Sequence, residues 1–187
     1  MMNRSELRKS KIAARNSLSQ AQREEYSGKI VSRIIESEEF KRAKTILIYR
    51  AIKGEVNIDA VLDMIDTKDK KFAFPLCISD SEMIALVPHD QDSWKPGYFG
   101  IMEPIPEKSV QVMPEDIDMV ICPCTVFDGK CLRMGMGAGF YDRYLEKCTK
   151  AYVTAACFEV QKTDSVPAES WDKPMDAVFT EKQTYRR

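Results

Sequence analysis

An α/β fold with a largely parallel central sheet follows from three features of this 187-residue sequence. Apolar strand-like runs alternate with helix-periodic segments along most of the chain. Two of the runs, Thr45–Tyr49 (TILIY) and Met119–Cys122 (MVIC), carry almost no polar side chain and read as buried strands, the second the most central. A Gly-rich stretch then joins that strand to a helical segment.

Leu7, Ala14 and Leu18 form a sparse apolar stripe among Arg4, Arg8, Lys9, Lys11 and Arg15, so the chain opens as a basic helix. Ser19 followed by Gln22 is a capping box, in which hydroxyl and amide satisfy each other's orphan N–H groups. The helix it starts shows Tyr26, Ile30, Val31, Ile34 and Ile35 on one face and ends near Ser37. After the first strand, Arg50–Glu55 reads as a loop. Asn57 then caps a predicted helix with Ile58, Val61, Leu62 and Ile65 inward. Phe72–Pro75 and Met83–Val87 read as strands. Asp90–Pro114, rich in Pro and Gly, reads as a long functional loop. Residues 128–139 read as the Gly-rich loop, Phe140–Cys148 as a helix, and Tyr152–Phe158 and Ala177–Phe179 as further strands. The tail from Thr180 reads as short and polar. One domain over 1–187 is expected, opening with a helical segment over about 1–40.

Composition removes several function classes. Hydrophobic residues at 44% and charged residues at 30% exclude wholesale disorder. Lys plus Arg is 28 against Asp plus Glu at 29, so the chain has no general footprint for nucleic acid or an anionic membrane, though a local basic patch for a small anion is allowed. No apolar run reaches the roughly 18 residues of a membrane span. Met1–Arg15 is charged rather than basic-then-apolar, so a signal peptide is not expected. Six cysteines without a CxxC pair, and the single His89, speak against zinc and for a reduced, cytoplasmic protein.

The chemistry concentrates in Arg133-Met134-Gly135-Met136-Gly137-Ala138-Gly139-Phe140-Tyr141-Asp142-Arg143. Glycines at alternate positions free the backbone for φ > 0 and for close approach to a ligand. Successive amides before a helix can cradle an anion, with Arg133 and Arg143 adding charge-assisted donors. Asp142 in the first helical turn has two possible jobs, complementing the helix dipole or holding Mg²⁺ beside phosphates. The string is neither a Walker A loop nor a dinucleotide fingerprint, and a plain Gly-rich turn is the competing reading.

The whole string resembles the signature of the 5-formyltetrahydrofolate cyclo-ligase (methenyltetrahydrofolate synthetase) family. The likeness extends to Arg4, Leu7 and Arg8, to Tyr49–Asn57, to Gly100-Ile101-Met102-Glu103-Pro104, to Asp118–Phe127, and to Asp172 with Met175–Val178. It implies a three-layer α/β fold similar to the sugar-phosphate isomerase and CoA-transferase superfold. It also implies an enzyme, an ATP- and Mg²⁺-dependent ligase acting on a small folate. In the implied reaction, the formyl oxygen of 5-formyltetrahydrofolate is phosphorylated and ring closure gives 5,10-methenyltetrahydrofolate. A monomer with no nucleic-acid or membrane partner is expected.

By that resemblance, Arg133, Tyr141 and Asp142 are catalytic. Arg4, Arg8 and the stretch Arg133, Met134, Gly135, Met136, Gly137, Ala138, Gly139, Phe140 and Tyr141 bind ATP. Ile52, Glu55, Asn57 and Met136–Phe140 bind the folate, and Asp142 and Asp172 hold Mg²⁺. Tyr49, Trp94, Tyr98, Phe99 and Phe140 are the aromatics available to stack on the pterin. The chain departs from the family pattern at Arg4 (usually Lys), Cys124 (commonly Gly), Met136, Ala138 and Asn57. A non-catalytic nucleotide- or folate-binding regulator and a related ligase for another small molecule are the alternatives.

Overall fold

The computed structural model describes residues 2–52, 54–97, 100–169 and 172–187. In chain order the helices are α1 (Arg4–Asn16), α2 (Gln20–Glu36), α3 (Glu38–Arg42), α4 (Val61–Met64) and α5 (Phe140–Leu145). The strands are β1 (Thr45–Leu47), β2 (Lys71–Cys77), β3 (Met83–Pro88), β4 (Trp94–Pro96), β5 (Met102–Pro104), β6 (Ser109–Val112) and β7 (Met119–Pro123). They continue with β8 (Val126–Asp128), β9 (Arg133–Met134), β10 (Tyr152–Ala156), β11 (Lys162–Thr163), β12 (Ala177–Phe179) and β13 (Thr184–Arg186).

Eight strands form one sheet in the order β13-β12-β10-β7-β1-β2-β3-β6. The inner run β12-β10-β7-β1-β2 is parallel, and β13, β3 and β6 pair antiparallel outside it. Alternation along the central strands divides two cores. Ile46, Ile48, Met119 and Ile121 face α2 and α3, where Ile30, Val31, Ile34 and Phe40 pack. Leu47, Val120 and Cys122 face the other side, with Leu145 and Tyr144 of α5. A sheet covered on both faces requires apolar residues at successive positions, which is why TILIY and MVIC lack a polar side.

Both helical caps near the N-terminus are built as their sequences dictate. Ser19 Oγ accepts from the Gln22 N–H at 3.2 Å and Gln22 Oε1 accepts from the Ser19 N–H at 2.9 Å. Asn3 and Glu6 make the equivalent box on α1.

Several expectations change. Asn57 caps nothing with its side chain; its N–H donates to Ser27 Oγ at 3.1 Å, and a 3₁₀ turn over Ile58–Ala60 leads into the four-residue α4. Ile58 and Val61 are buried as the pattern requires, but the segment is too short for the expected helix. Asp90–Pro114 is not one irregular loop: it holds the β4–β5 hairpin and the edge strand β6. The stretch 128–139 is shorter as a loop too, because Arg133 and Met134 pair with β8. The polar tail carries β13, a three-residue edge strand paired antiparallel with β12. β1 and β10 are each two residues shorter than their apolar runs, and α5 ends at Leu145 rather than Cys148.

Candidate active site

The connection from β1 runs to β2 on one side, and that from β7 runs to β10 on the other. The chain ends of β1 and β7 therefore diverge, leaving a crevice at their carboxyl ends, the usual ligand position in open α/β sheets. A cleft of about 780 Å³ opens there, a size suited to small molecules. Its walls come from the exits of β1 and β7, the start of α1, the Gly-rich loop, β2, β5 and Asp172.

The polar end is organised around Arg133. Its side chain is only 3% exposed; Nε donates to the Pro123 carbonyl at 3.1 Å and Nη1 to Asp142 Oδ1 at 3.2 Å. β9 thus holds the guanidinium beneath the loop, and Asp142 fixes it from α5. Gly137 (φ +111°) and Gly139 (φ +73°) take conformations that side chains resist. A Cβ at Gly139 would lie 2.6 Å from Arg143 Nη1. Arg8 reaches across from α1, Nε donating to the Gly135 carbonyl at 3.0 Å. Arg143 turns away from the cleft floor and donates to Ala138 and Ser81 carbonyls. Only six residues follow in α5, too few for a substantial macrodipole, so charge at this end comes from Arg8 and Arg133 more than from a helix terminus.

Arg4 lines the same end but is held by Asp172: Nη1 lies 2.5 Å from Oδ2 and Nη2 3.1 Å from Oδ1. Asp172 Oδ2 also accepts the Glu169 N–H at 2.8 Å. Burial works to raise the Asp172 pKa, but the bonds from Arg4 and Glu169 and the Arg4 charge leave it below the ordinary carboxylate value. Both oxygens of Asp172 are thereby committed to donors, a poor start for a metal ligand. Among the described residues no trio of His, Cys, Asp or Glu gathers to hold a metal ion. Mg²⁺ beside phosphates needs only one or two carboxylates. Asp142 fits that requirement: it lines the cleft, is 23% exposed, and only Oδ1 is bonded to Arg133.

Much of the remaining lining is apolar, with Ile52, Phe74, Pro75, Met83, Ile101 and Phe140 among its residues. Glu55 stands there, Oε2 accepting the Ile52 N–H at 3.2 Å and Oε1 lying 3.8 Å from Arg15 Nη1. Burial raises the Glu55 pKa against those two partners. The Tyr141 hydroxyl is buried and has no hydrogen-bond partner among the described residues. Burial pushes its phenol well up, so it remains a proton-bearing donor in the cleft wall. Met134, Met136, Gly137 and Ala138 complete the loop lining.

Asn57 stands outside this lining, as does Arg143, expected as a donor to the anion cradle. Of the aromatics, Tyr49 and Phe140 line the cleft, Trp94 packs behind it against Phe74, and Tyr98 and Phe99 lie outside the described residues. Sequence reasoning missed Arg50 and Thr125, both in the wall. Each sits just past the end of a central parallel strand, and that position was the available signal.

The chain is similar to known proteins along most of its length. The model of the 5-formyltetrahydrofolate cyclo-ligase family matches residues 1–181. The 5-formyltetrahydrofolate cyclo-ligase of Haemophilus influenzae is 30% identical over 143 residues, covering 73% of this chain and 75% of that protein. The Escherichia coli protein of the same name is 25% identical over 170 residues, covering 89% and 93%. The NMR structure of Aquifex aeolicus 5,10-methenyltetrahydrofolate synthetase superposes with a TM-score of 0.87 at 32% identity, covering 99% of this chain and 93% of that one. The Mycoplasma pneumoniae 5,10-methenyltetrahydrofolate synthetase gives 0.78 at 26% identity, covering 96% and 99%.

Proposed function

The chain belongs to the 5-formyltetrahydrofolate cyclo-ligase family, and from that premise and the cleft we infer an ATP-dependent ring closure of 5-formyltetrahydrofolate to 5,10-methenyltetrahydrofolate. The formyl oxygen attacks the γ-phosphorus of ATP and ADP leaves. The neighbouring secondary amine of the folate then attacks the activated formyl carbon and loses its proton. The carbon–oxygen bond breaks, and the oxygen departs with phosphate.

The observation that carries this reading is the glycine loop itself, set in a cleft between Arg8 and Arg133. Phosphoryl transfer requires positioning and charge neutralisation more than a covalent nucleophile. Two guanidiniums and backbone close enough for direct contact supply both. Arg133 can act without reorganising, because Pro123 and Asp142 already hold it. The apolar wall suits the ring systems of a folate, and the protonated Tyr141 hydroxyl is a donor for an oxygen on the reacting group.

Asp142 would hold Mg²⁺, which when bound neutralises phosphate charge and aligns the phosphoryl group. Asp172 serves instead to orient Arg4 toward the phosphate end.

The test mixes the protein with ATP, Mg²⁺ and 5-formyltetrahydrofolate and follows the methenyl chromophore in the near ultraviolet. Appearance of the chromophore together with ADP is expected. Binding of either substrate without folate-dependent ADP would mark a regulator instead.

A further inference from the structure

We propose that Arg50 is a specificity-determining residue that receives a carboxylate of the folate's glutamate tail. The proposal rests on the folate reading above and extends it to the end of the substrate far from the reacting formyl group.

Four basic residues line the cleft among those described: Arg4, Arg8, Arg50 and Arg133. Three are tied to the phosphate end, through Asp172, the Gly135 carbonyl and Asp142 respectively. Arg50 shares no hydrogen bond or ion pair with any of that set. It follows β1 and stacks over Trp94, its guanidinium carbon 4.2 Å from the ring centroid, with Phe74 at 5.1 Å. Its Nη1 bonds Asp59 Oδ2 at 3.0 Å.

These contacts fix the fork rather than consume it. The aromatic rings hold the guanidinium plane by cation–π and stacking contact, and Asp59 holds one edge. Nη2 carries no hydrogen bond among the described residues, and the side chain remains 31% exposed. Such a fork, oriented in advance, is matched to carboxylate geometry.

The ligand's own chemistry selects the occupant. A reduced folate carries its negative charge only on glutamate, at the opposite end from the pterin. With the formyl group facing the phosphates, the tail must run along the remaining wall. Arg50 is the cation in that lining, among the described residues, that stands outside the set tied to the phosphate end. ATP has no reason to reach it while the glycine loop takes the phosphates.

The test compares kcat/KM for 5-formyltetrahydrofolate and for its tail-less analogue, 5-formyltetrahydropteroate. The wild-type protein is expected to prefer the glutamate-bearing substrate by about tenfold or more, the scale of one charge-assisted hydrogen-bonded contact. That preference is expected to fall about tenfold in Arg50→Gln. Arg50→Lys, which keeps the charge and stem but not the fork, is expected to retain part of it. Equal wild-type values for the two substrates would overturn the proposal without need of any variant. So would a folded Arg50→Gln with the full wild-type preference. Failure of the folate reading is separately visible, since wild-type protein would then turn over neither substrate.

Discussion

Replacing Asp142 by Ala removes a carboxylate from the cleft and the partner of a buried guanidinium together. The second effect can be sized. Arg133 is 3% exposed and Asp142 23% exposed, with Nη1 to Oδ1 at 3.2 Å. Breaking a fully buried pair costs about 3–5 kcal/mol. Asp142 is partly solvated and Arg133 keeps the Pro123 carbonyl, so about 2–3 kcal/mol is expected here. For a chain of this size that lowers Tm by about 4–12 °C. Asp142→Asn separates the two effects: its amide oxygen still accepts from Arg133, so the stability loss should stay below about 1 kcal/mol. Turnover should nevertheless fall at least about 100-fold, because an amide is a far poorer holder of the Mg²⁺ that would sit beside the phosphates. Thermal unfolding and initial rates on both variants decide the matter. An Ala variant with wild-type Tm refutes the buried pair as a support, and an Asn variant with near-wild-type turnover refutes the carboxylate's role at the cleft.

Gly139→Ala should raise the KM for ATP and cost about 1–2 kcal/mol of stability, because φ is +73° and the new Cβ would lie 2.6 Å from Arg143 Nη1; steady-state kinetics and melting check both. Asp172→Asn should lower the urea midpoint at neutral pH, with the difference fading in acid. The folded-state pKa of Asp172 lies below its unfolded value of 3.8, so the pair's contribution is present above that value and lost as pH falls through the folded one. A difference unchanged at pH values well below the carboxylate range would contradict the assignment. Ser27→Ala should cost about 1–3 kcal/mol by leaving the Asn57 N–H without its acceptor, read as a drop in Tm of several degrees.

The sequence made the centre of this fold more legible than its margins, for a physical reason. Ile46 to Ile48 and Met119 to Cys122 are buried on both faces, so their composition admits little except a central strand. The capping box at Ser19 and Gln22 is likewise a local device that needs no tertiary help. β4, β5, β6 and β13 are short or at edges, and their pairing is decided by distant partners that local pattern does not carry. The glycine loop was visible because two of its positions take φ values that other residues rarely adopt. Arg4 and Asp172 were each assigned singly, whereas their bond across 168 positions changes what Asp172 can do. Arg50 and Thr125 were passed over because their place is set by the order of strands, which no short motif encodes.

Product stoichiometry tests the central claim most directly, with ADP and the methenyl chromophore followed in one reaction mixture. One ADP is expected for each methenyl group formed, and none when the folate is omitted. ADP released at the same rate without folate, or no chromophore in the complete mixture, would contradict the assignment of this cleft to a coupled ring closure.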